Sequence, residues 1–339
     1  MAEVEITTEL QEIQSNLWGV NVRENIALAL EKLQNLPEEP NPIQGSLNLS
    51  LLDTASWKLG LLKNSIQGKE DTLQSRKDQL DRIKAKLEQV SGRTILQYGQ
   101  CGDDVYYAIC DDGEAALYGT GATYDYTFHD SVFYQNGQIK KIVLSNGITG
   151  LGDRLFYHCA NAETVSLPAT LTSIGDSAFA QEDAAIGYTA GLTSVTIPQA
   201  VTAIQSFAFQ HTAIAEVTVP ASVKTWGKYA FSGCAKLKTA RVACDSIGAF
   251  AFTRCTALSS LTISANCRTF GENMLTYCES LTAITYEGTI AQWNAITKPV
   301  NWMSSGEHSY NNYLKKIQCV DGYLEYDPEN NVWNEVKNG

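Results

Sequence analysis

The sequence predicts an α+β chain, in which an N-terminal helical, coiled-coil stalk is followed by a β-solenoid with a capping module at each end. Three observations predict it: aliphatic residues recur every seven positions before residue 92, a self-similar unit recurs every 21 to 23 positions (once 30) after residue 139, and short strand-and-turn segments lie between them. The parts run as 1–42, a helical segment with a Pro-rich linker; 43–92, the stalk; 93–138, an N-terminal capping hairpin; 139–290, the repeats; and 291–339, a C-terminal cap.

In the first part Leu10, Ile13, Leu17, Val20, Ile26, Leu30 and Leu33 recur at the three- and four-residue spacing of an amphipathic helix or helix pair. Three prolines, Pro37, Pro40 and Pro42, then stop any helix and stiffen a linker. Beyond it Leu52, Leu59, Ile66, Leu73, Leu80 and Leu87 stand seven apart, with Leu62, Ile83 and Val90 at the interleaved core positions. So narrow a stripe cannot be shielded by one helix, and Leu at the first core position with Ile or Val at the second favours three or four strands. The expectation is a parallel homotrimer, with an intramolecular helical hairpin as the alternative. Lys69 and Arg76 fall at core positions, and Gly60 and Gly68 each weaken the helix by about 1 kcal/mol.

The run Trp18-Gly19-Val20-Asn21-Val22-Arg23, leading into Ile26 and Leu30, resembles a pattern near the N-termini of baseplate, tail and head-fibre proteins of phages of Gram-positive bacteria. In those proteins this end docks the fibre on the virion. The resemblance therefore implies docking through Trp18, Gly19, Val22, Arg23 and Ile26, although Asn21 stands where the pattern has Asp. An ordinary amphipathic helix start is the other reading of the same residues.

From residue 93 the pattern changes. Val105–Ile109 and Ala115–Tyr118 flank Asp111-Asp112-Gly113, a hairpin signal. Gly119-Thr120-Gly121 lacks the third glycine and the following helix of a nucleotide site. The Asp103, Asp104, Asp111 and Asp112 group lacks calcium-loop spacing. Turn chemistry explains both.

The repeats show as parallel series. Phe156, Phe179, Phe209, Phe231, Phe252 and Leu275 form one, and Val143, Val165, Val195, Val217, Ala240, Leu261 and Ile284 occupy the strand slot. A third is the apolar-Gly pair at Gly152, Gly175, Gly227, Gly248 and Gly271, with Ile204-Gln205 as the exception. A unit of this length cannot bury its own apolar side, so neighbours must stack. The segment Thr193-Ser194-Val195-Thr196-Ile197-Pro198 through Phe209, the Gly99–Tyr126 run before the repeats and the Ile284–Ile296 phrase after them resemble BspA-like leucine-rich-repeat proteins. That resemblance implies a leucine-rich-repeat solenoid with a recognition role.

Cys159, Cys234, Cys255 and Cys278 each follow the Phe-type anchor by three residues, so they should stack inward. A metal or redox ladder is one reading. Small side chains filling a tight turn is the other, and no His joins them at ligand spacing. Alternate strand residues face out. Thr196, Thr218, Arg241, Thr262 and Thr285, in line with Ser166, make the candidate receptor-binding row, and Ser194, Glu216, Thr239, Ser260 and Ala283 its neighbour. The extra residues from Gln181 to Gly191 should bulge as a loop. The aromatic tail, with Trp293, Trp302, Tyr310, Tyr313, Tyr323, Tyr326 and Trp333, should first cap the array, and any exposed aromatics there would be receptor-contact candidates too.

Composition narrows the function. A net charge of −12 argues against nucleic acid and a polybasic membrane anchor. No apolar run is long enough to cross a bilayer, so no membrane insertion is expected. The acidic start at Met1 has no signal-peptide pattern, which leads to the expectation of synthesis in a cytoplasm and any exit by a leaderless route. Nine cysteines without a CxxC pair read as reduced and buried. No catalytic motif, metal set or cofactor site stands out, and no enzyme activity is expected. The leading expectation is a phage virion fibre or spike. A trimeric stalk, docked on other head, tail or baseplate proteins, would present the repeats to a host-surface glycan or protein. A bacterial cell-surface adhesin and an intracellular interaction scaffold are the alternatives.

Overall fold

The structure is a computed structural model that describes residues 94–181, 190–303 and 313–338 without 328 and 331, together with the helical positions 74, 75, 78 and 81. The heptad positions from Leu52 to Val90, the docking residues Trp18, Gly19, Val22, Arg23 and Ile26, and the insertion at 182–189 lie outside the described residues. Everything from Thr94 onward belongs to one compact unit, Lys77–Gly339.

That unit opens with an antiparallel meander: β1 (Ile95–Gln100), β2 (Gly102–Cys110) and β3 (Glu114–Thr123). The Asp-Asp-Gly turn between the last two works because Gly113 takes φ +86°, where a side chain would be strained. The end of β3 at the turn, Glu114–Leu117, pairs in parallel with β4 (Lys141–Leu144), and its far end with β5 (Ile148–Leu151). One strand thus seeds both sheets of the solenoid, and the expected capping hairpin is continuous with the array.

Seven coils follow, each centred on a buried anchor: Phe133, Phe156, Phe179, Phe209, Phe231, Phe252 and Leu275. On the first side lie β4, β6 (Thr164–Ser166), β9 (Glu216–Val219), β11 (Thr239–Val242), β13 (Ser260–Ile263) and β15 (Ala283–Tyr286). Here buried and open residues alternate, so Val217 and Val219 point in while Glu216 and Thr218 point out. On the second side the strands are two residues long: β7 (Ser173–Ile174), β8 (Ala203–Ile204), β10 (Thr225–Trp226), β12 (Ser246–Ile247) and β14 (Thr269–Phe270). A Cβ at Gly152 would run into the Tyr124 carbonyl oxygen, and one at Gly227 into the Ser206 amide nitrogen. The glycine series marks where successive coils touch backbone to backbone.

The third side carries the anchors. Rings at Phe156, Phe179, Phe209 and Phe231 stack with centroids 5.5, 5.4 and 5.1 Å apart, and each anchor amide donates to the next coil, as Phe209 does to the Ala230 carbonyl at 2.8 Å. The chain turns there through left-handed backbone. Phe207, Tyr229 and Phe250 have φ of 58°, 60° and 56°, a conformation that disfavours bulky residues by about 1–2 kcal/mol. Their rings stack at 5.1 and 4.4 Å, which with the inter-coil hydrogen bonds offsets the strain.

Phe133 was absent from the sequence series. It begins the column, covered edge-on by Tyr107 of β2 at 5.0 Å. At the other end α1 (Ile290–Asn294), held by a Thr289–Gln292 capping box, and the hairpin strands β16 (Lys316–Cys319), β17 (Gly322–Asp327) and β18 (Val332–Lys337) close the array. Trp293 and Trp302 are buried against Phe270. Lys298 lies over the Trp293 ring and donates to the Ile296 carbonyl, filling the helix C-terminus.

Candidate functional site

The cysteine series stacks inward as a set of hydrogen-bond donors. Cys159, Cys234, Cys255 and Cys278 give their S–H to the carbonyls of Phe133, Phe209, Phe231 and Phe252, the anchors of the preceding coils, at 3.0 to 3.2 Å. All nine cysteines are buried and unbridged. Burial pushes the Cys159 and Cys278 thiols up to about 12, far from the thiolate that a metal or redox role requires. Among the described residues no group of His, Cys, Asp and Glu is arranged to hold a metal.

Polar chemistry is concentrated instead on the first side. Thr196, Thr218 and Thr285 are exposed, and Arg241 and Thr262 half-buried, all on the solvent face of the strands. They are not equivalent. The ladder on this side is interrupted: β6 ends one sheet and β9 begins the next, and the strand slot between them, Val195–Ile197, pairs with neither. Ser194 alone bridges to Thr164, and the Ala215 amide reaches the Thr193 carbonyl at 3.1 Å before the two coils part. On the second side the same coils stay paired through β7, β8 and β10.

This local parting opens a groove of about 310 Å³, lined by Thr196, Gln199, Glu216, Thr218, Thr239 and Arg241 above the aliphatic floor of Val195, Ile197 and Val217. Three of the five sequence-named residues, Thr196, Thr218 and Arg241, meet there, whereas Thr262 and Thr285 lie on later strands and do not line it. Sequence reasoning passed over Gln199. The 30-residue spacing between Phe179 and Phe209 was the available signal, since an irregular repeat is where coil register can slip.

Electrostatically the groove is asymmetric. The Arg241 guanidinium holds the Glu287 carboxylate, with Nη2 2.8 Å from one oxygen and 3.0 Å from the other. Its charge is therefore met two coils away, across Thr262. Glu216 forms no ion pair with another described residue. Nor do the side chains of Thr196, Gln199, Thr218 or Thr239 hydrogen-bond to one, so their donors and acceptors face solvent.

Residues 126–186 and 182–297 match the family described as BspA type leucine rich repeat region, in 6 copies. No curated protein matches the chain. Solved structures do. A leucine-rich repeat protein from Eubacterium ventriosum is 19% identical, with 65% of this chain and 77% of that one covered and a TM-score of 0.37. The leucine rich repeat protein of T. pallidum is 20% identical, covering 55% and 87%, with a TM-score of 0.38. The pneumococcal vaccine antigen PcpA is 16% identical, covering 66% and 65%, with a TM-score of 0.41. Since the matched stretch takes in half of the sequence and coincides with the stacked coils, the chain belongs to the BspA-type leucine-rich repeat family.

Proposed function

We propose that this protein is a surface-recognition protein of the cell-surface adhesin kind, which contacts its partner through the strand side of the solenoid. The observation that carries the reading is the set of unengaged polar side chains around the groove. None of them has a partner among the described residues, and the segments that carry them belong to the stacked coils. Leucine-rich repeat proteins generally present such faces to other molecules, and the family match supports the same role. No catalytic function is assigned.

The test is adhesion. Beads coated with the full chain should bind a panel of bacterial and animal cell surfaces. The triple change Thr196→Lys, Thr218→Lys and Thr262→Lys should abolish that binding while leaving the melting temperature in place. Full binding by the triple variant would remove the reading.

The phage-fibre reading is kept as a second one because the heptads from Leu52 to Leu87 and the Trp18–Ile26 run specifically favour it. It places the protein in a virion as a homotrimer docked on other virion proteins. Native mass should then give a trimer, and Leu80→Ala with Leu87→Ala should weaken it, each buried leucine lost costing about 2–5 kcal/mol. Finding the protein in cell envelopes and not in purified particles would decide for the adhesin.

A further inference from the structure

Resting on the surface-recognition reading, we propose that the groove between Val195–Ile197 and β9 is a subsite for a neutral saccharide. Its chemistry is that of a polyol's complement. Three hydroxyls, from Thr196, Thr218 and Thr239, an amide from Gln199 and a carboxylate from Glu216 all lack partners among the described residues. Hydroxyls and amides both donate and accept, which suits ring hydroxyl groups whose hydrogens rotate. The unpaired Val195–Ile197 segment adds main-chain groups that a continuous ladder would have used up. A volume of about 310 Å³ sits at the small end of ligand sites.

Charge selects among sugars. An acidic one, such as a sialylated, uronic or sulfated unit, would face the unpaired Glu216 carboxylate and a chain of net charge −12. The one cation in the lining already donates three hydrogen bonds to Glu287, and an acidic ligand would have to displace that carboxylate. A protein partner fits the groove less well. Specific protein interfaces cover about 800 Å² on each side and centre on aromatic anchors, and the lining holds no aromatic residue. The same lack of a stacking platform makes a single site weak, so firm attachment would need several chains displayed together.

The experiment is a titration of the isotope-labelled full chain with lactose, di-N-acetylchitobiose, methyl mannoside and sialyllactose, followed by amide chemical shifts. At least one neutral probe should give saturable shifts in the millimolar range, confined to residues 195–199, 216–218 and 239–241, with sialyllactose at least about tenfold weaker. Thr218→Val with Glu216→Gln should remove the shifts, and its unchanged remaining spectrum will show that the fold is intact. Silence from every neutral probe, a preference for sialyllactose, or shifts elsewhere would overturn the proposal. Glycosidase treatment of the cells in the adhesion assay separates the two readings. Undiminished binding to stripped cells, still lost in the triple lysine variant, leaves surface recognition standing and overturns the saccharide in favour of a protein partner.

Discussion

The solenoid uses threonine in two places, and the two sets behave oppositely. At the corners, Thr172 gives its hydroxyl to the Thr149 carbonyl at 2.7 Å, Thr202 to Thr172 at 3.2 Å and Thr193 to Glu163 at 3.1 Å. Each ties one coil to the coil before it. On the strand side, Thr196 and Thr218 of one row and Thr239 of the row beside it tie no coil together, for none of their hydroxyls hydrogen-bonds to another described residue. Periodicity alone therefore says little about purpose. In a stacked repeat a residue type recurs because the coil recurs, and function is sought where a recurring side chain has no internal duty and the register fails.

Four changes would break or sharpen that contrast. The largest effect belongs to the inner column. Phe231 is fully buried between Phe209 and Phe252, and Phe231→Ala should cost about 3–5 kcal/mol in chemical denaturation. Thr262→Ala, at an equally periodic outer position, should stay within about 0.5 kcal/mol. A small loss at Phe231 would refute the stacking account.

Next in size is the response to alkali. Burial raises the Cys101, Cys159, Cys244 and Cys278 thiols from 9.0 to about 12, and Cys267 and Cys319 to about 11. Between these values the unfolded chain loses protons that the folded chain keeps, so stability is whole below about pH 9 and falls toward pH 12. Lys298 acts the other way. Burial lowers it from 10.5 to about 8, and stability rises between those values because the unfolded chain there binds the extra proton. Six thiols outweigh one amine. Melting in the presence of a reductant should therefore drop steeply above pH 9, and a melting temperature flat to pH 11 would contradict the burial of these six thiols.

Thr172→Val should lose the corner bond, about 0.5–1.5 kcal/mol, whereas Thr218→Val should lose nothing measurable. Equal losses would erase the distinction between the two sets. The smallest effect is expected at the Arg241–Glu287 pair. Its side chains are 41% and 37% exposed, and a double-mutant cycle on such a pair should return about 0–1 kcal/mol. Its role is to neutralise the guanidinium beside the groove. Glu287→Gln should accordingly raise the affinity for sialyllactose while leaving the melting temperature unchanged.

Much of this was legible in the residues. The Phe, Gly and Cys series follow from register alone, and Asp112-Gly113 announced the β2–β3 hairpin, since only a residue that tolerates positive φ closes that turn. The left-handed aromatic positions were not legible. Nothing in Phe207 or Tyr229 favours φ near +60°, and only stacking between coils makes it tolerable. The groove was half legible. Thr196, Thr218 and Arg241 were named as an outward row, but Thr193–Pro198 reads like every other strand slot, and its failure to pair is decided by how two coils sit together. Arg241 and Glu287 are 46 residues apart and meet only because the intervening chain coils twice.

The most direct measurement is hydrogen exchange resolved by segment. Val195–Ile197 belongs to no ladder, while Ala240–Val242 of β11 is paired on both sides. Amides of the first segment should exchange far ahead of those of the second under native conditions, with Ala203–Ile204 on the opposite side of the same coil still protected. Equal protection of the two strand-side segments would mean that the ladder is continuous and that no groove opens there.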